Sequence, residues 1–312
     1  MIETRNLTKK YGSLTALDNI TFESDSGILG VCGARGSGKS SLLAILAGAI
    51  PQNSGEAFIN QKEAKKVFSG YLLEEDPLFD EMSVSEFLFF IGEAKKIPYE
   101  KLYRQVKEVL DLCNLEDFKD VPISNLKKGT RKMTGIAHTL LGNPELVVLD
   151  EPFAGMNKQE ISSAKAIIKM LGEIKTVVLS SSYPTDVSDI CSKMILLSGG
   201  KLVACDTVEN LTSAICDIAA LSLSFNASAD ITESFLQSLT ELDGVSECIV
   251  IPTISENEYR LKLIYDGKDS IKEDIENIIS EKEYAIEIKG IEQIDVTLDD
   301  LCISLDNAKE DN

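Results

Sequence analysis

The octapeptide GARGSGKS, residues 33–40, constrains this chain more than any other stretch. It fits the pattern G-x-x-x-x-G-K-[ST], whose glycines let backbone N–H groups turn inward around phosphates. The residues before it, GILGVCG, have the pattern of a short buried strand. Those after it, SLLAILAGAI, form an apolar run of helical length. A strand that enters a glycine-rich turn and leaves as a helix also aims the helix N-terminus at the loop, where its dipole favours anions. Gly33, Ala34, Arg35, Gly36, Ser37, Gly38, Lys39, Ser40 and Ser41 are therefore the candidate phosphate-binding residues. Lys39 is expected to meet the β- and γ-phosphates of ATP, and Ser40 to ligate Mg2+. The competing reading is a Gly/Ser turn that matches by chance; the strand–helix context decides for nucleotide binding.

A second stretch, VVLDEP (147–152), runs three apolar residues into two adjacent carboxylates, Asp150 and Glu151. Two anions at the end of a buried strand are costly unless cations meet them. Next to a phosphate loop they gain a purpose. Asp150 is expected beside the Mg2+, directly or through water. Glu151, one residue on, is expected to accept a proton from an attacking water.

Alternating strand and helix patterns place both stretches in an α/β domain with a largely parallel sheet covered on both faces. Strand patterns recur at LDNITFES, ELVVLDEP, TVVLSSS and KMILLSGGKLV. Helices are expected over 83–118, over TRKMTGIAHTLLGNP, and near 158–172. After about residue 212 the texture changes to strand–helix–strand–strand–helix–strand, an order that suits a small ferredoxin-like α+β domain over 216–312.

Composition narrows the partners. The net charge is −20, concentrated in the last third of the chain, and phosphate backbones need Lys and Arg; nucleic acid is not an expected partner. No apolar run reaches the roughly 20 residues of a membrane span. The start, MIETRNLTKKYG, lacks the apolar core of a signal peptide, so a cytoplasmic place is expected. Seven cysteines without a CxxC pair favour reduced thiols and no zinc site, and the single histidine, His138, excludes a multi-histidine metal centre.

With GARGSGKS and VVLDEP in place, residues 1–212 resemble the ATP-binding subunits of ABC transporters. The resemblance implies a P-loop NTPase with a RecA-like core sheet, antiparallel edge strands and a helical subdomain over about 75–142. Tyr11, in KKYGSLTALDNITF, matches the aromatic that stacks on adenine in that family. A GTPase is a weaker match, because NKQE at 157–160 lacks the aspartate of the guanine motif. Two such subunits pack head to tail, each site taking its phosphate loop and carboxylates from one chain and a signature loop, close to LSGGQ, from the other.

The matching stretch here is LKKGT (126–130), in which Gly129 is kept and Lys127 replaces the family serine. Lys127, Lys128, Arg131 and Lys132 crowd a helix start, where cations oppose the helix dipole. Two readings stay open: Lys127 meets the γ-phosphate of an ATP held by the partner chain, or the cluster is a solvated patch pairing with local acids.

Other positions depart further. Glu74, in GYLLEED, stands where the family has a glutamine; its oxygen still suits Mg2+ but adds negative charge. Ser182, in VVLSSSYPTD, stands where the family has a switch histidine, and Asn157 stands where an aspartate is usual. His138 lies in a helix and reads as structural. Nucleotide binding is expected to persist, and hydrolysis to slow because of Glu74, Lys127 and Ser182; a lost transition-state donor costs about 10²–10³ in rate.

Finally, VTLDDLCIS (296–304) resembles the ending of subunits that drive ABC-2 type exporters, although an amphipathic helix explains it nearly as well. The resemblance implies an ABC exporter subunit. Its partners would be a separate transmembrane permease, docked at 75–142, and a second ATP-binding chain, either a copy of itself or a paralogue. It would meet the inner face of the membrane only through the permease. A regulatory pseudo-ATPase paired with a competent subunit is the alternative. A soluble ABC ATPase acting on ribosomes or DNA is a third, against which stand the acidic charge and the lack of a second such domain or a coiled-coil insertion.

Overall fold

The computed structural model describes residues 1–25, 27–75, 77–213, 219–227, 229–242, 244–251, 258–265, 271–281 and 286–300. The chain divides into two compact units, Met1–Val208 and Glu209–Asn312.

The first unit is built on a six-stranded sheet. Its strands are β3 (Ile28–Cys32), β6 (Ser69–Leu72), β7 (Leu146–Leu149), β8 (Thr176–Ser181), β9 (Lys193–Ser198) and β10 (Lys201–Thr207), in the order β10-β9-β3-β8-β7-β6. All neighbours are parallel except β10 against β9. Every residue of β3, β7 and β8 is buried, as strands covered on both faces must be. KMILLSGGKLV, a strand pattern in the sequence, folds as the β9–β10 hairpin, because Gly199 and Gly200 at φ +51° and +76° make its two-residue turn.

A second, antiparallel sheet holds β1 (Ile2–Tyr11), β2 (Leu14–Ser24), β4 (Ser54–Ile59) and β5 (Lys62–Glu63), in the order β2-β1-β4-β5. Helix α1 (Lys39–Leu46) shares one core with both sheets: Leu42, Leu43 and Leu46 cluster with Ile2, Leu7 and Leu17 on one side and with Val31, Val148 and Val178 on the other. The phosphate loop is therefore held at the junction of the two sheets. Helix α5 (Lys158–Ile174) follows β7 and packs on β8.

Between β6 and β7 lies the helical region: α2 (Val84–Ala94), α3 (Tyr99–Leu112) and α4 (Lys128–Leu140). A reciprocal Ser83–Glu86 capping box starts α2. Leu102, Val106, Val109 and Leu110 form the buried stripe of α3. Helix α4 starts at Lys128, two residues earlier than the apolar pattern alone predicts, and Gly142 and Asn143 at positive φ end its chain direction. The Lys95 ammonium donates to the carbonyls of His138 (2.9 Å) and Leu141 (3.1 Å), satisfying the end of α4, while burial pushes Lys95 down to about 8. The His138 ring meets buried Phe87 edge to face at 5.7 Å.

Strand β6 and helix α4 touch backbone to backbone. A Cβ on Gly70 would lie 2.0 Å from the carbonyl oxygen of Thr139. Neither partner is a flexible side-chain tip, so Gly70→Ala is expected to destabilise the unit by about 1–3 kcal/mol, as overpacking does. A chemical unfolding curve with unchanged midpoint would refute the close approach.

Helix α6 (Val208–Ser213) starts at the last residue of the first unit, and the second continues as β11 (Ala219–Asn226), α7 (Ala229–Thr240), β12 (Val245–Ile251), β13 (Glu258–Tyr265), α8 (Ile271–Glu281) and β14 (Glu287–Ile294). Its sheet runs β12-β13-β11-β14, with all neighbours antiparallel. The unit has its own core, in which Leu221, Phe225, Phe235, Leu261 and Leu263 are fully buried. Lys262 and the buried Asp300 form an ion pair at 2.7 Å. The end of VTLDDLCIS, residues 301–304, lies outside the described residues. Among the described residues no helix is long and apolar enough to cross a membrane.

Candidate active site

The loop from Gly33 to Gly38 is shaped by positions that only glycine fits. A Cβ on Gly33 (φ +152°) would come 2.1 Å from the Leu197 carbonyl oxygen, and one on Gly38 (φ +103°) would come 2.4 Å from that of Ala16. At Gly36 (φ +86°) a Cβ would meet nothing within 4 Å, so there conformation alone favours glycine. The β9–β10 turn buttresses the loop: Gly200 N–H donates to Ser37 O at 3.1 Å, and Asp18 N–H to Gly200 O at 2.8 Å.

This cradle fits a phosphate chain on two observations. Helix α1 starts with Gly38 as its N-cap and receives no side-chain cap, which leaves the first-turn N–H groups for an outside acceptor. The Ser37 hydroxyl is buried and has no hydrogen-bond partner.

Lys39 is 6% exposed. Its ammonium donates to Gly33 O (2.7 Å) and Ala34 O (3.0 Å), lies 3.4 Å from Ser182 Oγ, and is 3.8 Å from Glu151 Oε1. The cation that the two strand-end carboxylates require is therefore the loop lysine, met here through Glu151.

Tyr11, Arg35, Gly36, Gly38, Lys39, Ser40, Ser41, Glu74 and Glu151 all line one cavity of about 630 Å3. Gly33, Ala34 and Ser37 belong to the loop that backs it. Asp150, 2% exposed, lies at the end of β7 among buried residues. A buried carboxylate and the Ser40 hydroxyl are hard oxygens of the kind that hold Mg2+ together with nucleotide phosphates. Tyr11 ends β1 with its ring half-exposed, and the Lys9 ammonium sits 4.9 Å from the ring centroid. On β6, burial and then the nearby Asp150 push the Tyr71 phenol well above its usual range.

Lys127 and Gly129 do not line this cavity; they start α4. The basic cluster there divides in two. Arg131 pairs with Asp80 at 2.5 Å, and the buried Lys132 ammonium donates to the Glu74 carbonyl at 2.8 Å. Local pairing thus accounts for Arg131 and Lys132, whereas Lys127 and Lys128 are exposed. Gly129 packs against the Glu160 carboxylate, which a Cβ there would have to push aside. That carboxylate accepts from Asn157 N–H (2.9 Å), while Asn157 Oδ1 accepts from the N–H groups of Gln159 and Glu160. Asn157 therefore caps α5, a task asparagine and aspartate perform about equally.

Ser180 stands out in the geometry although no motif marks it. The β7–β8 register pairs Leu149 with Leu179, which sets Ser180 beside Asp150. The Ser180 hydroxyl donates to Asp150 Oδ1 at 2.5 Å and accepts from Glu151 N–H at 2.8 Å. The available signal was period-2 alternation, which puts Ser180 and Ser182 on one face.

Known proteins resemble this chain. The family model for the ABC transporter domain matches residues 17–154. An uncharacterised ABC transporter ATP-binding protein of Methanocaldococcus jannaschii is 32% identical over 212 residues, spanning 67% of this chain and 79% of that protein. A linearmycin resistance ATP-binding protein of Bacillus subtilis is 26% identical over 258 residues, spanning 80% of this chain and 82% of its own. Among solved structures, the dimeric structure of a bacterial ABC transporter cassette superposes with a TM-score of 0.61 at 22% identity, covering 67% of this chain and 99% of the cassette. At that identity the likeness is one of fold.

Proposed function

This chain belongs to the ABC transporter family of ATP-binding proteins and is an ABC-type ATPase; from that premise we propose that it powers a membrane exporter whose spanning subunit is a separate chain. The observation that carries the reading is the convergence of the phosphate loop, Lys39 and Glu151 on one cavity with Asp150 beneath. The exporter reading draws on the likeness to a protein named for linearmycin resistance, which spans 80% of this chain.

In this reading Tyr11 offers its ring to the adenine, and the loop N–H groups with Lys39 hold the phosphates. Ser40, Asp150 and Glu74 hold Mg2+, which supplies charge neutralisation at the phosphates when bound. Glu151 takes the proton of the attacking water. Closure needs a second chain, a copy or a paralogue, whose α4 start covers the cavity head to tail. Docking to the permease uses the helical region, and the chain works at the cytoplasmic face of the membrane. Turnover is slowed by Glu74 and Lys127, whereas Ser182 bonds the carboxylate of Glu151. A purely regulatory role is disfavoured, because Glu151 is kept and lines the cavity.

Lys127 is the natural group to reach an ATP held across the dimer, since it is exposed while two of its basic neighbours are engaged within the chain. In a Glu151→Gln background, where ATP accumulates unhydrolysed, Lys127→Glu is expected to abolish the ATP-dependent dimer seen by light scattering, and Lys127→Ser to retain it. A dimer indifferent to Lys127→Glu would make the cluster a solvated patch.

A further inference from the structure

We propose that Ser180 and Ser182 are positioning residues for hydrolysis, which hold Glu151 at both ends so that its carboxylate faces the phosphate loop. The inference rests on the reading of Glu151 as the general base and adds how that base is held. Glu151 lies two residues past the end of β7 and adopts φ +46°, a left-handed conformation that residues other than glycine, asparagine and aspartate seldom take. Such an outlier persists only where its surroundings over-determine it.

The surroundings here are two hydroxyls, one in β8 and one just past its end. Ser180 Oγ accepts from Glu151 N–H at 2.8 Å, which fixes the backbone. Ser182 Oγ donates to Glu151 Oε1 at 2.7 Å, which fixes the carboxylate. The remaining proton of the arrangement is used as well: Ser180 donates to Asp150 at 2.5 Å, so one hydroxyl ties the base's backbone to the neighbouring acid. Lys39, 3.8 Å from the same Oε1 atom, supplies the opposing charge.

Ser180 lies in β8 and Ser182 one residue past its end, and together they reach both ends of Glu151. Ser181, between them, turns to the other side and bonds Tyr183, accepting from its N–H at 3.1 Å and donating to its carbonyl at 2.9 Å. The serine at position 182 is thus more than a lost histidine. Its hydroxyl bridges the loop lysine and the base, 3.4 Å from the Lys39 ammonium and 2.7 Å from Glu151 Oε1.

The test compares ATP turnover and ATP affinity in wild type, Glu151→Gln, Ser182→Ala, Ser182→Thr, Ser182→His and Ser180→Ala, with the thermal midpoint of each. Misplacing a catalytic group by about an ångström costs up to roughly 100-fold. Ser182→Ala is expected to lower kcat by about 10- to 100-fold at unchanged Kd for ATP and unchanged Tm, and Ser182→Thr, which keeps the hydroxyl, to restore it. Ser180→Ala should lower kcat likewise, and Ser182→His should not raise it above wild type. Unchanged kcat in Ser182→Ala, or a gain in Ser182→His, overturns the proposal. If wild-type turnover does not depend on Glu151, the reading of the base itself fails, a result separable from the serine variants.

Discussion

Replacing Glu151 with glutamine is expected to abolish ATP turnover and to leave ATP binding intact. The amide keeps the size of the side chain and the backbone bond to Ser180, but it cannot take a proton from water. General-base catalysis is worth about 10²–10⁴ in rate, so residual turnover should fall to the background of the assay. Binding should survive for a geometric reason. Lys39 keeps its bonds to Gly33 O and Ala34 O when Glu151 loses its charge, so the loop retains its shape. The measurement is phosphate release beside the Kd of a fluorescent ATP analogue. Equal turnover in wild type and variant would remove Glu151 from the chemistry and reopen the regulatory alternative. Loss of binding would mean that the Glu151–Lys39 pair shapes the loop.

Removing the other half of that pair should act on the opposite quantity. Lys39→Ala deletes a buried ammonium that bonds two loop carbonyls and faces Glu151. Hydrogen bonds to charged groups are worth about 1.5–3 kcal/mol, which corresponds to roughly 10- to 100-fold in ATP affinity for one such contact with phosphate. Turnover should disappear with binding. The variant should also lose some stability, because Glu151 is left partly buried with only the Ser182 hydroxyl as a partner and the Gly33 and Ala34 carbonyls lose their donor. Titration calorimetry separates the two effects when read beside the thermal midpoint. ATP affinity within twofold of wild type would show that GARGSGKS does not hold the phosphates.

Much of this was legible in the residues. GARGSGKS announced its own geometry, because glycine spacing, the lysine and the flanking strand and helix are local and leave few backbone solutions. VVLDEP was legible for the same reason: an apolar strand ending in two acids demands a cation nearby. The strand–helix–strand–strand–helix–strand order of the second unit followed from periodicity alone. The basic cluster was legible as a conflict with the helix dipole but not in its resolution. Arg131 and Lys132 find Asp80 and the Glu74 carbonyl, partners about fifty or more residues away, and only the fold brings them together.

Ser180 shows the limit most clearly. Nothing local distinguishes it from Ser181, and a run of three serines at a strand end reads as polar punctuation. Its role comes from the parallel pairing of β7 with β8, in which one register sets a hydroxyl between the Asp150 carboxylate and the Glu151 N–H, and a slip of one residue would present Ser181 instead. Asn157 is similar. It looks like a damaged motif in the sequence, yet it caps α5 with two bonds that an aspartate would also make.

By itself, then, the sequence determined the phosphate cradle, the acid pair and the class of fold, since each depends on neighbours within a few residues. Only the tertiary structure decided which hydroxyls hold Glu151, which cations are engaged within the chain, and why Gly70 tolerates no side chain. Those depend on how closely separate strands and helices approach, and that distance is set by packing across the whole unit.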